Sequence, residues 1–350
     1  MKYFDNDYLE GCALEILKKL TETNFEQTSG YGTDSYCESA KNKIKTACQC
    51  KDGDVCFLIG GTQVNSTVLD ALLKSGEGVI STDIGHIATH EAGAIETFGH
   101  KVITLPHVNG KLTAERLKTF LQNFYHDETF QHMVNPGAVY ISHPTEYGTL
   151  YTKKELENLH NICKDHNIPL FLDGARLGYG LVTPNTDVTL PVIAKYTDAF
   201  YIGGTKIGAL FGEAVVFPKK DTVKNFFTTI KRHGALLAKG RLLGIQFDTL
   251  FTDNLYFKLA KNAIDLAIYL REQIEKKGYK FFIDSPTNQI FVIVDNTKIK
   301  EIDKEVSFSI WQPYNENSTV IRFATSWATK KEDIDYLLSL LWKKPFLRNS

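Results

Sequence analysis

Pro169-Leu-Phe-Leu-Asp-Gly-Ala-Arg-Leu177 is the stretch on which the fold turns. Leu170, Phe171 and Leu172 are apolar in succession rather than in alternation, so the strand they predict has no solvent face and belongs inside a covered sheet. The strand ends on Asp173, followed by a glycine turn and Arg176. A carboxylate ending a buried strand is costly to desolvate unless a cation receives it. Two readings stay open: Arg176 is its structural partner, or Asp173 faces a ligand. Residues 199–206, Ala-Phe-Tyr-Ile-Gly-Gly-Thr-Lys, repeat the arrangement with Lys206 standing 33 positions after Asp173. A lysine emerging from an apolar strand can lose basicity and act as a nucleophile, whereas most lysines are solvated surface charges.

Outward from this pair the same grammar recurs. VCFLIG (55–60), GVISTD (78–83), KVITLP (101–106) and AVYISHP (138–144) read as strands, and helical periodicity separates them. Thr152-Lys-Lys-Glu155 has capping-box form and predicts a helix running to about Asp165. Alternating strands and helices of this kind predict an α/β fold with a mostly parallel sheet. Past residue 240 the texture changes to a long amphipathic helix, the strands QIFVIVD and STVIRFATSW, and a final helix, which reads as a small α+β domain. The expected division is an N-terminal segment 1–30, a large domain 31–240 and a small domain 241–350.

Composition narrows the function. With 40 basic and 41 acidic residues the net charge is −1, which argues against a polyanion partner, so no nucleic acid is expected. Met1–Gly11 carries three acidic residues and no apolar run, and no stretch of 18 apolar residues occurs anywhere. Neither a signal peptide nor a membrane span is expected. The six cysteines read as reduced thiols of a cytoplasmic protein. Cys48-Gln-Cys50 lacks zinc-knuckle spacing, and no metal is expected.

A third strand end completes the pattern. Gly60-Gly61-Thr62 opens a helix after VCFLI, and free amides with the helix dipole there favour an anion such as phosphate, although plain turns use the same residues. Neither a Walker A nor a GxGxxG pattern is present. A phosphate-type turn, an imidazole segment, a strand-end aspartate and then a strand-end lysine form the set that pyridoxal phosphate requires.

The chain resembles fold-type-I pyridoxal-phosphate enzymes of the β-eliminating lyase and low-specificity L-threonine aldolase family. The resemblance rests on FDND (4–7), YGTD (31–34), GGTQVN (60–65), HIATHEAGA (86–94), FLDGARL (171–177), GGTK (203–206) and VIRFATS (320–326). It implies the aspartate aminotransferase fold type I, Lys206 as the Schiff-base lysine and Asp173 as the partner of the pyridine nitrogen. His86 would stack on the ring, and Gly61, Thr62 and Thr205 would hold the phosphate. Arg176 and Arg322 would grip the substrate α-carboxylate, with Asn6 near it. Tyr31 and Arg232 resemble groups that reach a neighbouring subunit's site, so a homodimer or homotetramer is implied. Thr145-Glu-Tyr-Gly148 stands where the aldolases carry Thr-His-Asn-Gly, which puts Glu146 in the position of the base, with His90 and His143 close in sequence. The expected activity is retro-aldol cleavage of L-threonine or a related β-hydroxy-α-amino acid to glycine and an aldehyde. The alternative is β-elimination or aminotransfer on another amino acid.

Overall fold

Apolar runs that lack alternation form strands with both faces covered. The structure, a computed structural model, describes residues 1–342. After the short β1 (Lys2–Tyr3), the strands of the large sheet are β2 (Asp54–Leu58), β3 (Glu77–Thr82), β4 (Val102–Leu105), β5 (Asn135–Ser142), β6 (Leu170–Asp173), β7 (Ala199–Gly203) and β8 (Glu213–Phe217). Their order is β2-β8-β7-β6-β5-β3-β4. Pairing is parallel from β4 through β7, while β8 runs antiparallel to both β7 and β2. The sheet is therefore mostly parallel, as the uninterrupted apolar runs require. Val139, Leu170, Leu172 and Phe200 join the core on one face; Tyr140, Phe171 and Tyr201 join the core on the other. Truncating a fully buried aromatic such as Phe171 to alanine costs about 3–5 kcal/mol in such a setting.

The C-terminal part carries β9 (Lys280–Phe281), β10 (Gln289–Asp295), β11 (Val306–Ser307), β12 (Ser309–Pro313) and β13 (Ser318–Ala324). Four of them form an antiparallel sheet in the order β12-β13-β10-β9, and β11 pairs with β1, which ties the N-terminus to this unit. The helix Leu255–Lys276 serves both units: Ala260, Ala263 and Ile264 pack into the large core, and Ala267, Leu270 and Ile274 into the small one. None of the helices among the described residues is long and apolar enough to cross a membrane.

Candidate active site

In a parallel sheet the carboxyl ends of the strands share one edge, and the helices that follow leave a crevice there. A cavity of about 330 Å³ opens at this edge. Gly60–Thr62 reach it from the end of β2, His86 from beyond β3, Ser142 and Glu146 from β5, Asp173 and Arg176 from β6, and Thr205 and Lys206 from β7. Because β8 runs the opposite way, it delivers its first residue, Glu213, to the edge where the others deliver their last.

Lys206 lines this cavity, where burial first and Arg176 second lower its affinity for a proton. Its amine lies 5.7 Å from the centre of the Tyr8 ring and makes no hydrogen bond or ion pair among the described residues. The turn behind it is fixed instead by the backbone, as the Tyr179 hydroxyl donates to the Lys206 carbonyl at 2.5 Å.

Asp173 is buried, and both of its oxygens are occupied. Oδ1 accepts the Tyr201 hydroxyl at 2.5 Å and the Ala175 amide at 2.9 Å; Oδ2 accepts the Tyr140 hydroxyl at 2.7 Å and the Asn65 amide at 3.0 Å. Burial first, and Asp173 next, push the ionisation of both tyrosines far up, so they stay neutral donors. Asn65 also donates to Glu91 at 2.6 Å, and Glu91 meets His86 Nδ1 at 2.7 Å. Burial works against a charge on His86, but Glu91 and Asp173 outweigh it and raise its proton affinity.

Glu146 closes the circuit. Its Oε1 accepts the His86 backbone amide at 2.9 Å and the Ser142 hydroxyl at 2.7 Å, while Oε2 accepts from no other residue among those described. Burial raises its proton affinity above that of an ordinary glutamate, partly offset by Ser142. Of the two neighbouring histidines, His143 is fully buried with its proton affinity lowered to about 4, chiefly by burial, and accepts the Tyr151 amide. Neither His143 nor His90 lines the cavity.

The two arginines are both committed within the chain. Arg176 donates from Nε and Nη2 to Asp7 at 2.7 and 2.9 Å, and Asn288 adds a third bond to Asp7 at 2.9 Å. Arg322 donates to Gln289, to the Asp5 carbonyl and to Ser309, and lies 5.6 Å from the Trp311 ring, while its buried Nε has no acceptor among the described residues. Burial and then the charge of Arg176 push Arg322 down to about 10. Arg322 does not line the cavity, and neither do Asn6, Tyr31 and Arg232. Asn6 bonds Asp5 and the Tyr8 amide. Tyr31 is exposed, and Lys231 lies over its ring. Arg232 pairs with Asp70 in its own chain, beside His233.

The β-eliminating lyase family model matches residues 11–297. The chain belongs to the β-eliminating lyase family. It is 26% identical to the low-specificity L-threonine aldolase of Pseudomonas aeruginosa over 334 residues, which cover 95% of this chain and 94% of that one. A solved threonine aldolase of Leishmania major superposes with a TM-score of 0.94 at 42% identity, covering 97% of this chain and 98% of that one. A pyridoxal-phosphate-bound protein of Clostridium difficile, 14% identical with a TM-score of 0.72 over 97% of this chain and 90% of that one, shows the fold alone. The fold is that of the fold-type-I pyridoxal-phosphate enzymes.

Within this β-eliminating lyase, the structure brings together Gly61, Thr62, His86, Glu146, Asp173, Arg176, Thr205 and Lys206 from eight sequence-derived positions around one cavity. Sequence reasoning passed over Tyr8, Tyr140, Tyr201, Asn65, Glu91 and Glu213. Asn65 and Glu91 stand inside quoted motifs, GGTQVN and HIATHEAGA, whose conspicuous members drew the reading. Tyr140 and Tyr201 carried no signal beyond strand aromatics. Glu213 had one: an acid opening an apolar run, EAVVF.

Proposed function

We propose that this enzyme uses pyridoxal phosphate to cleave L-threonine or a related β-hydroxy-α-amino acid into glycine and an aldehyde. The observation that carries this reading is a half-buried Lys206, without a hydrogen-bond or ion-pair partner among the described residues, in the same cavity as the buried Asp173 carboxylate. The aldolase names of the P. aeruginosa and L. major relatives support the choice of reaction.

The residues present fit the cofactor. A Cβ placed on Gly60 would meet nothing within 4 Å, so open space lies at the start of the helix Gly61–Leu72, where amides and the helix dipole face an anion. Gly61 and Thr62 would hold the phosphate there, with Thr205 beside them. Lys206 would hold the cofactor covalently, its lowered proton affinity leaving an unprotonated amine more accessible. Asp173, oriented by four donors, would keep the ring nitrogen protonated, and His86, fixed through Glu91, would lie against the ring. Once bound, pyridoxal phosphate supplies the electron sink for a bond broken at the α carbon.

The chain's own groups then decide which bond breaks. Arg176 and Arg322 repel each other, and a substrate carboxylate beside them relieves that repulsion. Glu146 holds Oε2 free and carries the raised proton affinity of a buried acid, which suits removal of the β-hydroxyl proton. We further propose a homodimer or homotetramer: Tyr8 and Ile59 line the cavity yet are 54% and 40% exposed, a rim that another subunit would cover. Free cysteines throughout suit a reducing cytoplasm.

The test is borohydride reduction of the purified enzyme with pyridoxal phosphate, peptide mapping, and glycine assay on threonine. The expected result is a reduced cofactor on the peptide carrying Lys206, and glycine release that the Lys206→Ala variant lacks. Ammonia and a keto acid in place of glycine would move the reading to elimination.

A further inference from the structure

Glu213 has no part in the chemistry above, yet it lies beside Thr205 and Lys206 in the same cavity and is only 3% exposed. Its Oε1 accepts the Thr205 hydroxyl at 2.9 Å, and its Oε2 accepts the Gly204 amide at 3.3 Å. The Thr205 oxygen in turn accepts the Gly212 amide at 3.0 Å. A hydroxyl has one proton to donate. While Glu213 is a carboxylate, Thr205 commits that proton to it and has none for an anion held at Gly61 and Thr62. A phosphate dianion in the same enclosed space would also repel the carboxylate.

We propose that protonation of Glu213 licenses cofactor binding: a neutral Glu213 releases the Thr205 hydroxyl toward the phosphate, and ionisation of Glu213 loosens the cofactor. The proton comes from solvent through the cavity mouth. This inference rests on the placement of the phosphate at Gly61, Thr62 and Thr205 given above. The charged and titratable groups around Glu213 are Lys206 and Thr205's turn from the β7 side, Asp173 from β6, Tyr201 from β7 and Tyr256 from the helix Leu255–Lys276. The helix Arg241–Leu250 faces this turn with the apolar Leu243 and Phe247. Burial is the leading influence and pushes Glu213 up to about 8, with Lys206 pulling the other way and Asp173 adding to the rise. The protonated form is thus available at neutral pH.

The test compares the full-length chain, freed of cofactor, with its Glu213→Gln variant, using pyridoxamine 5′-phosphate as the probe. This probe has no aldehyde, so Lys206 forms no bond to it, and the titrations of the ring and of Lys206 occur in both proteins. Glutamine keeps the shape of the neutral acid and cannot ionise. Between about pH 7 and about pH 9 the wild type is expected to lose about tenfold more affinity than Glu213→Gln, the loss that follows from one proton released near the middle of that range. Equal pH dependence in the two proteins overturns the proposal. Wild-type chain that binds no pyridoxamine 5′-phosphate at any pH overturns the cofactor reading itself and this inference with it. Should circular dichroism show Glu213→Gln unfolded, sulfate binding to the Lys206→Ala chain decides the matter, because sulfate has a constant charge and no ring, and no amine then titrates beside Glu213. A sulfate affinity, obtained by displacement of the probe, that weakens about tenfold as pH rises through the Glu213 titration supports the proposal, and one that stays flat up to about pH 10 overturns it.

Discussion

Asp7 and Arg176 stand 169 positions apart and meet in a buried, two-pronged ion pair, so their contact ties the N-terminal segment to the strand-end turn of β6. Replacing Asp7 with asparagine keeps the shape and removes the charge. The retained oxygen can still accept from Arg176 Nε and from Asn288, but the new amide group faces Nη2, a donor against a donor. One charge-assisted bond of about 1.5–3 kcal/mol is lost, and the guanidinium is left without its counter-charge. Breaking a buried pair costs about 3–5 kcal/mol, and the bond that asparagine preserves places Asp7→Asn at the lower end, about 3 kcal/mol. Urea denaturation at neutral pH measures this as a lower midpoint at unchanged slope. By thermal melting the shift is about 6 °C, taking about 2 °C per kcal/mol for a large chain.

The pH dependence supplies an independent check. Burial pushes the Asp7 carboxyl up, but Arg176 and then Lys206 prevail and hold it below the ordinary aspartate range. A carboxyl with a depressed folded value stabilises the protein fully above its unfolded value, about 3.9, and that contribution fades as pH falls through the folded value. The gap between wild type and Asp7→Asn is therefore constant from neutral pH down to about 5 and narrows below about 4. A loss under about 1 kcal/mol, or a gap that widens on acidification, would refute the claim that this pair holds the segment in place.

Three further outcomes follow from the same geometry. Glu146→Gln is expected to lower kcat about 100- to 10,000-fold with little change in KM; since only the carboxylate can act as base and burial raises its proton affinity, the wild-type rate climbs with pH through a value above the ordinary glutamate range, and the variant loses that limb. Unchanged turnover removes Glu146 from the mechanism. Arg322→Ala is expected to raise KM about tenfold or more while sparing kcat, and a KM equal to wild type would mean that Arg176 alone receives the carboxylate. Gly61→Ala places a Cβ 3.0 Å from the Tyr201 hydroxyl, which must shift by a few tenths of an ångström and disturb its bond to Asp173. A roughly tenfold weaker cofactor affinity is expected by equilibrium dialysis, and wild-type affinity would show that the helix start has slack.

What the sequence made legible was local. The capping box at Thr152 and Glu155 forms with both reciprocal bonds, because its four residues need nothing from elsewhere in the chain. Asp173 and Lys206 were readable because a charge at the end of an apolar strand is conspicuous, and both sit where the strand ends placed them. The tyrosines that clamp Asp173 were not readable, since Tyr140 and Tyr201 look like any strand aromatics until neighbouring strands align them with β6. Arg176 shows the same limit: its nearest candidate partner in sequence was Asp173, three residues away, but it bonds Asp7 across the fold instead. β8 went unread as a strand, and with it went the reversal of direction that brings Glu213 to the edge where the cavity opens.

Hydrogen-bond saturation separates the scaffold of this site from its reactive groups. Asp173 accepts four donors and Asp7 three, so their positions are over-determined, and a ligand can use their charge without moving them. Lys206, Glu146 Oε2 and Arg322 Nε, by contrast, are polar groups held in or beside the cavity with bonding capacity left over. Buried polar groups are mostly paired, so spare bonding capacity beside a cavity is capacity that a ligand can use. These three, unlike the unpaired Asn65 Oδ1 and Glu91 Oε2 of the supporting network, are an amine, a carboxylate oxygen and a guanidinium nitrogen that the proposed function uses. Under the proposed function they would do three things: hold an aldehyde cofactor, take a proton from the β-hydroxyl and anchor a carboxylate. Glu213 is the exception that fits neither group, since one of its donors, the Thr205 hydroxyl, is also the one proposed for the cofactor phosphate, and that conflict is why its protonation state would matter.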